Sequence, residues 1–185
     1  MMNLSSEADD ETARTCWDCA LQRAENLAFF GAKRVLELCV GPSLKTLEKA
    51  YARHGISVVG NDIEVRWKNF HPKGEWIVGD ALKIDYAGFD SVVFAPPLSR
   101  GCTGTRSDSL MIDDVVPSYD AFALASKEFR GIRTFVLPGR AGATRQDRRQ
   151  MHSLLSRFEN YDLVPLTAGL RKIVKYHDLY VCPSE

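Results

Sequence analysis

Four positions in this chain could do binding chemistry, and each stands where a β-like run ends. Glu37 lies inside the run Arg34–Val40 (RVLELCV), which breaks at Gly41-Pro42-Ser43 and opens into a helical pattern. A carboxylate within a strand suits a ligand with a cationic amino group, and it can order the backbone amides of the next turn. Gly41 allows a ligand to approach the backbone closely. Asp62 follows the run Ser57–Gly60, where a carboxylate can accept both hydroxyls of a ribose. Asp80 follows Trp76–Val78, in reach of an adenine amino group. Ala95-Pro96-Pro97 closes the run Asp90–Phe94, next to where a transferred group would lie.

These positions meet only if the strands that carry them are parallel, because ligands of doubly wound sheets bind beyond the carboxyl ends of the strands at the switch point. The patterning predicts such strands. From Thr12 to Gly31, Trp17, Leu21, Ala24, Leu27 and Ala28 recur at helical spacings, and Gly31 stops the helix. Ser43 stands where it can cap the next helix, whose apolar stripe is Leu44, Leu47, Ala50 and Tyr51. A short helix is expected around Glu64–Asn69, a longer one over Ser118–Arg130 and a strand over Ile132–Leu137. A basic helix from Thr144 to Phe158 comes next. Two runs follow, Tyr161–Leu166 and Lys172–Cys182, joined through Ala168-Gly169 and expected to pair antiparallel. The fold class expected is α/β: a doubly wound, seven-stranded mixed sheet with helices on both faces and a C-terminal antiparallel hairpin. Residues 1–11 read as a flexible tail and 12–185 as a single domain.

Composition sets the class. The 185 residues are 45% hydrophobic and 26% charged, an ordinary globular balance with room for one α/β core. No apolar run approaches the roughly 18 residues of a membrane span. The first residues, MMNLSSEADDETARTC, are acidic and polar, unlike a secretory signal, so a soluble cytoplasmic protein is expected. Net charge is zero, which gives no global attraction to nucleic acid. Arginines nevertheless gather at 130, 133, 140, 145, 148, 149 and 157, so RNA could be met through the Arg140–Arg157 region; a solvated helix face is the alternative. The five cysteines are scattered, as expected of reduced thiols. Cys16 and Cys19 form a CxxC pair, but no second pair or nearby histidine completes a zinc set, and no metal site is expected.

RVLELCVGPS, VVGNDIE, IVGDAL and FDSVVFAPPLS together resemble the class I S-adenosylmethionine (SAM) dependent methyltransferases, over roughly Arg34 to Pro138. The resemblance implies SAM as cofactor. It implies that Glu37, Gly41 and nearby backbone hold the methionine end, that Asp62 binds the ribose and that Asp80 binds the adenine. Cys39, Pro42, Ile63, Ala81, Ala95 and Pro96 would complete the pocket. The sequence departs from the family in its turn, where Cys39 replaces the first glycine and Ser43 the last. An NAD site is the rival reading, since Asp62 would serve there too. It needs further glycines where the chain has Ser43 and Thr46, and a terminal hairpin is not expected of it.

Methyl transfer needs in-line approach and removal of a proton where one must leave. In amino-group methyltransferases acting on bases, the position of Ala95 is usually Asn or Asp and that of Leu98 an aromatic. Both side chains are missing here. APPLSRGCTGTR is loosely similar to the segment of RNA 5-methylcytosine methyltransferases that carries an attacking cysteine, which would make Cys102 a thiolate nucleophile beside Arg100 or Arg106. Cys102, Asp114 and Tyr119 are the catalytic candidates. Leu98–Asp114 is long enough for a substrate-reading loop. An alternative is a catalytically degenerate binding or partner subunit of the same fold. The acceptor could also be a small molecule or a protein.

Overall fold

The computed structural model describes residues 17–95, 117–127, 129, 131–137, 161–163 and 179–183. In chain order these form α1 (Trp17–Phe29), β1 (Arg34–Leu38), a 3-10 turn (Gly41–Ser43), α2 (Leu44–Ala52), β2 (Ser57–Asp62), α3 (Val65–Phe70) and β3 (Glu75–Val78). Then come β4 (Ser91–Phe94), α4 (Tyr119–Ser126), β5 (Thr134–Leu137), β6 (Tyr161–Leu163) and β7 (Leu179–Pro183).

The strands lie in the order β3-β2-β1-β4-β5-β7-β6. The first five are parallel. β7 runs antiparallel to both β5 and β6. β6 and β7 are shorter than the runs expected from sequence, and their connection, 164–178, lies outside the described residues. The chain steps outward from β1 to β3 and then resumes on the other side of β1 with β4. The switch point therefore lies between β1 and β4.

Strand alternation divides the core into two layers. Val35, Val58, Val93 and Val136 face Ala20, Ala24 and Leu27 of α1 and Leu44, Leu47, Ala50 and Tyr51 of α2. Leu36, Leu38, Val59, Val92, Phe94 and Phe135 face the other way, onto Phe122 and Ala123 of α4. Phe122 stacks on Phe94 at 4.1 Å and meets Phe135 edge-on at 5.6 Å. Helices thus cover both faces, and the central strands read as continuous apolar runs for that reason. Gly60 permits the close seat of α2 on β2: a Cβ there would stand 2.9 Å from Leu44 Cδ2 and 3.0 Å from Val40 Cγ1.

Two local expectations change. Ser43 does not cap α2 with its side chain, because the 3-10 turn runs straight into the helix and gives Ser43 a helical backbone. A capping residue needs an extended one, as Ser118 has before α4, where its hydroxyl accepts from Ala121 N at 3.2 Å. Cys19 is disulfide-bonded rather than reduced. His71 meets Glu48 at 2.8 Å and ties the end of α3 to α2.

Candidate cofactor cleft at the ends of β1, β2 and β3

The turn after β1 is built by two left-handed residues, Cys39 at φ +56° and Gly41 at φ +53°. They bend the chain back so that Val40 N donates to Asn61 O at 3.0 Å and Gly41 N donates to Asp62 Oδ2 at 3.0 Å. Asp62 Oδ1 accepts from Glu64 N, also at 3.0 Å. The carboxylate therefore latches the turn to the end of β2. Each of its oxygens has a further lone pair for an outside donor.

Asp80 sits just past β3. Its Oδ1 accepts from Leu82 N at 3.0 Å, and Lys83 Nζ lies 3.3 Å from its Oδ2. The Leu82 amide, helped by the Lys83 ammonium, holds its carboxyl below the usual range, so it is ionised at neutral pH. Tyr86 closes this loop by donating its hydroxyl to Ala81 O. Burial pushes the Tyr86 phenol up, and the Asp80 carboxylate, with the Cys39 thiol once that ionises at high pH, pushes it the same way.

Cys39 faces both carboxylates. Burial, then Asp62, then Asp80, push its thiol from 9.0 to about 12. A thiol so placed is neutral and a poor nucleophile. Its left-handed backbone costs a non-glycine residue roughly 1–2 kcal/mol. A pH dependence follows. The folded thiol keeps its proton above pH 9, where the unfolded one loses it, so this stabilisation is full below pH 9 and declines toward pH 12. The unfolding free energy of the wild type, from urea titrations, should fall more between pH 8 and pH 10 than that of Cys39→Ser, by about 1 kcal/mol. Equal declines would show that the thiol is not shielded as described.

Glu37 departs from its expected role. It is 2% exposed and points into the α1–α2 layer, where Arg23 Nη1 lies 3.6 Å from Oε1 and the Tyr51 hydroxyl donates to the same oxygen. The carboxylate is enclosed beneath the turn and does not line the cleft. Strand alternation explains this, since position 37 shares its face with Val35. Ala81 departs likewise: its side chain is buried in the α4 layer, and only its backbone borders the loop.

The other sequence candidates divide cleanly. Pro42 is half-buried in the 3-10 turn, Ile63 is 72% exposed beside Asp62, and Ala95 is half-buried at the end of β4. Tyr119 opens α4. Pro96, Cys102, Asp114 and the Arg140–Arg157 region lie outside the described residues. The structure brings together Cys39, Gly41, Asp62 and Asp80.

Three residues of the site were not assigned to it from sequence. Arg23 stands on the stripe Ala20-Arg23-Ala24-Leu27 of α1, and an arginine on a buried stripe demands a carboxylate. Tyr51 is read there as stripe alone. Asn61 is an amide at an inward strand position, in step with Val59. It is fully buried, and its Nδ2 donates to Ile77 O and Gly79 O at 3.0 Å each. Its Oδ1 has no hydrogen-bond partner among the described residues, a cost of roughly 1–3 kcal/mol.

No protein-family model matches the chain, and no curated protein matches it in sequence. Solved structures do match its fold. A Pyrococcus horikoshii protein described as a candidate RNA methyltransferase superposes with a TM-score of 0.60 at 15% identity, over 91% of this chain and 84% of its own. Magnesium protoporphyrin IX methyltransferase from Synechocystis PCC 6803, with bound SAM, gives 0.60 at 12% identity, over 91% and 79%. The E. cuniculi Mtq2–Trm112 complex, responsible for methylation of the eRF1 termination factor, gives 0.53 at 18% identity, over 89% and 93%. The chain has the Rossmann-like α/β fold seen in class I SAM-dependent methyltransferases.

Proposed function

We propose that this protein is a SAM-dependent methyltransferase. The observation that carries the reading is the latch between Gly41 N and Asp62, set beside an open turn. Among the described residues nothing lies within 4 Å of where a Gly41 Cβ would stand, which leaves room for a ligand to approach the backbone from that side. Asp62 offers acceptors for a ribose diol, and the ionised Asp80 offers one for an adenine amino group. Gly41 and Pro42 border the methionine portion, and Ile63 gives the adenine an apolar flank. Glu37, enclosed with Arg23 and Tyr51, supports the turn from below. These groups fit the cofactor. Two carboxylates around a neutral thiol favour a cationic sulfonium and repel the pyrophosphate of a dinucleotide.

SAM supplies an electrophilic methyl group, which leaves the protein to aim the acceptor and to take up a proton where one leaves. Ala95, at the end of β4 across the switch point from the turn, has no side-chain acceptor. A target amine there would hydrogen-bond to backbone carbonyl oxygen instead. RNA is the acceptor class we favour, supported by the arginines between Arg130 and Arg157; of these, Arg133 is described and exposed.

Calorimetric titration with SAM, S-adenosylhomocysteine and NAD tests the reading. Micromolar binding of the first two and none of NAD is expected. Binding of NAD alone would overturn it. No binding of any of them would favour the degenerate partner subunit, whose turn carries Cys39 in place of glycine.

A further inference from the structure

We infer that Asn61 is the positioning residue of the cleft, setting where the Asp80 carboxylate stands relative to Asp62 and the turn. The inference rests on the adenosine-binding reading above. Asn61 makes a bond beside each of the three binding positions. It directly precedes Asp62 in β2. Its carbonyl accepts from Val40 N at 3.0 Å, inside the Cys39–Gly41 turn. Its Nδ2 donates to Ile77 O and to Gly79 O, and Gly79 directly precedes Asp80.

The place of these bonds matters. The β2–β3 ladder pairs Asn61 with Ile77 and Asp62 with Val78, and then β3 ends. Past that point, the loop that carries Asp80 is joined to β2 by the Asn61 amide and by Gly79 N donating to Asp62 O at 3.0 Å. The side chain thus extends the sheet's hydrogen bonding by one step, to the residue where a ligand would be read.

The asparagine breaks the apolar pattern of its face. Its neighbour there, Val59, is apolar and buried, whereas an apolar side chain at position 61 would remove the unpaired Oδ1 together with the donor that Ile77 O and Gly79 O accept from. The chain keeps a fully buried amide whose Oδ1 has no partner among the described residues, and what that amide secures is two backbone carbonyls, Ile77 O near the end of β3 and Gly79 O in the loop before Asp80. Departures from the apolar pattern of this kind gather at functional sites.

The test is titration of wild type, Asn61→Leu, Asp80→Ala and the double variant with two ligands. One is S-adenosylhomocysteine; the other is S-inosylhomocysteine, whose 6-oxo ring lacks the amino group. Wild type should prefer the adenosyl ligand by about tenfold, the worth of one charge-assisted hydrogen bond. Asn61→Leu should lose that preference while binding the inosyl ligand nearly as wild type does. Adding Asp80→Ala should then cost nothing more. An equal loss for both ligands, or an intact preference, would overturn the inference. Should Asn61→Leu fail to fold, Asn61→Ser, too short to reach Gly79, takes its place. If wild type binds neither ligand, the cofactor reading fails, and amide exchange decides the positioning role separately. Asn61→Leu, or Asn61→Ser in its place, should then speed exchange at the Leu82 amide, which Asp80 holds, and leave the Glu64 amide, which Asp62 holds, unchanged. Unchanged Leu82 exchange would overturn the positioning role.

Discussion

Asp62→Ala is expected to weaken S-adenosylhomocysteine binding by about a hundredfold. Two ribose hydroxyls donating to a carboxylate are worth about 1.5–3 kcal/mol each, and roughly 3 kcal/mol in all is a hundredfold in affinity. The same substitution removes the acceptor for Gly41 N and Glu64 N, so the turn loses its latch as well. Asp62→Asn separates the two effects. It keeps one oxygen, lacks the charge and is expected to lose about tenfold. Calorimetry reads both, with circular dichroism to show that the variants fold. Wild-type affinity in a folded Asp62→Ala would remove Asp62 from the site.

Glu37→Ala should be the most destabilising single change among the residues of and beneath the turn. The side chains of Glu37 and Arg23 are 2% and 7% exposed, and they lie 3.6 Å apart. Removing the carboxylate takes an opposite charge from the Arg23 guanidinium in a nearly dry layer and an acceptor from the Tyr51 hydroxyl. Breaking a buried pair in this way costs about 3–5 kcal/mol. A single domain has about 5–15 kcal/mol in total, so the variant stands close to unfolding at ambient temperature. The double replacement Glu37→Leu with Arg23→Met should recover most of the loss, because a well-packed apolar pair avoids desolvating two charges. Urea unfolding of wild type, Glu37→Ala and the double variant measures this. A double variant no more stable than Glu37→Ala would show that the pair is not the source of the loss.

The arrangement of these residues accounts for how much of the site could be read in advance. Gly41, Asp62 and Asp80 stand at breaks between apolar runs, and a break is a local signal: a strand ends, a turn begins, and a polar residue marks the corner. Glu37 was legible as an unusual residue but not by its destination. One carboxylate in an apolar strand can face a ligand or an opposing helix, and only the seating of α1 and α2 on that face selects the second. Ala81 shows the same limit, because the loop after β3 folds back and turns its methyl group into the α4 layer. Arg23, Tyr51 and Asn61 lie inside apolar patterns. Such patterns report burial without naming the partner, which is distant in sequence.

By itself, the sequence determined alternating strands and helices, the corners where the proposed ligand-binding groups stand and the resemblance to SAM-dependent methyltransferases. These follow from hydrophobic period and turn chemistry, which act over a few residues. The tertiary structure decided which strands are neighbours, and so that the ends of β1, β2 and β3 stand side by side. It also decided that Glu37 is enclosed with Arg23, that Cys39 is a shielded neutral thiol between two carboxylates, and that Asn61 ties their supports together. Those facts depend on contacts between distant segments and on the low-dielectric interior that packing creates. Burial, pairing and pKa are properties of the packed chain, and no local stretch carries them.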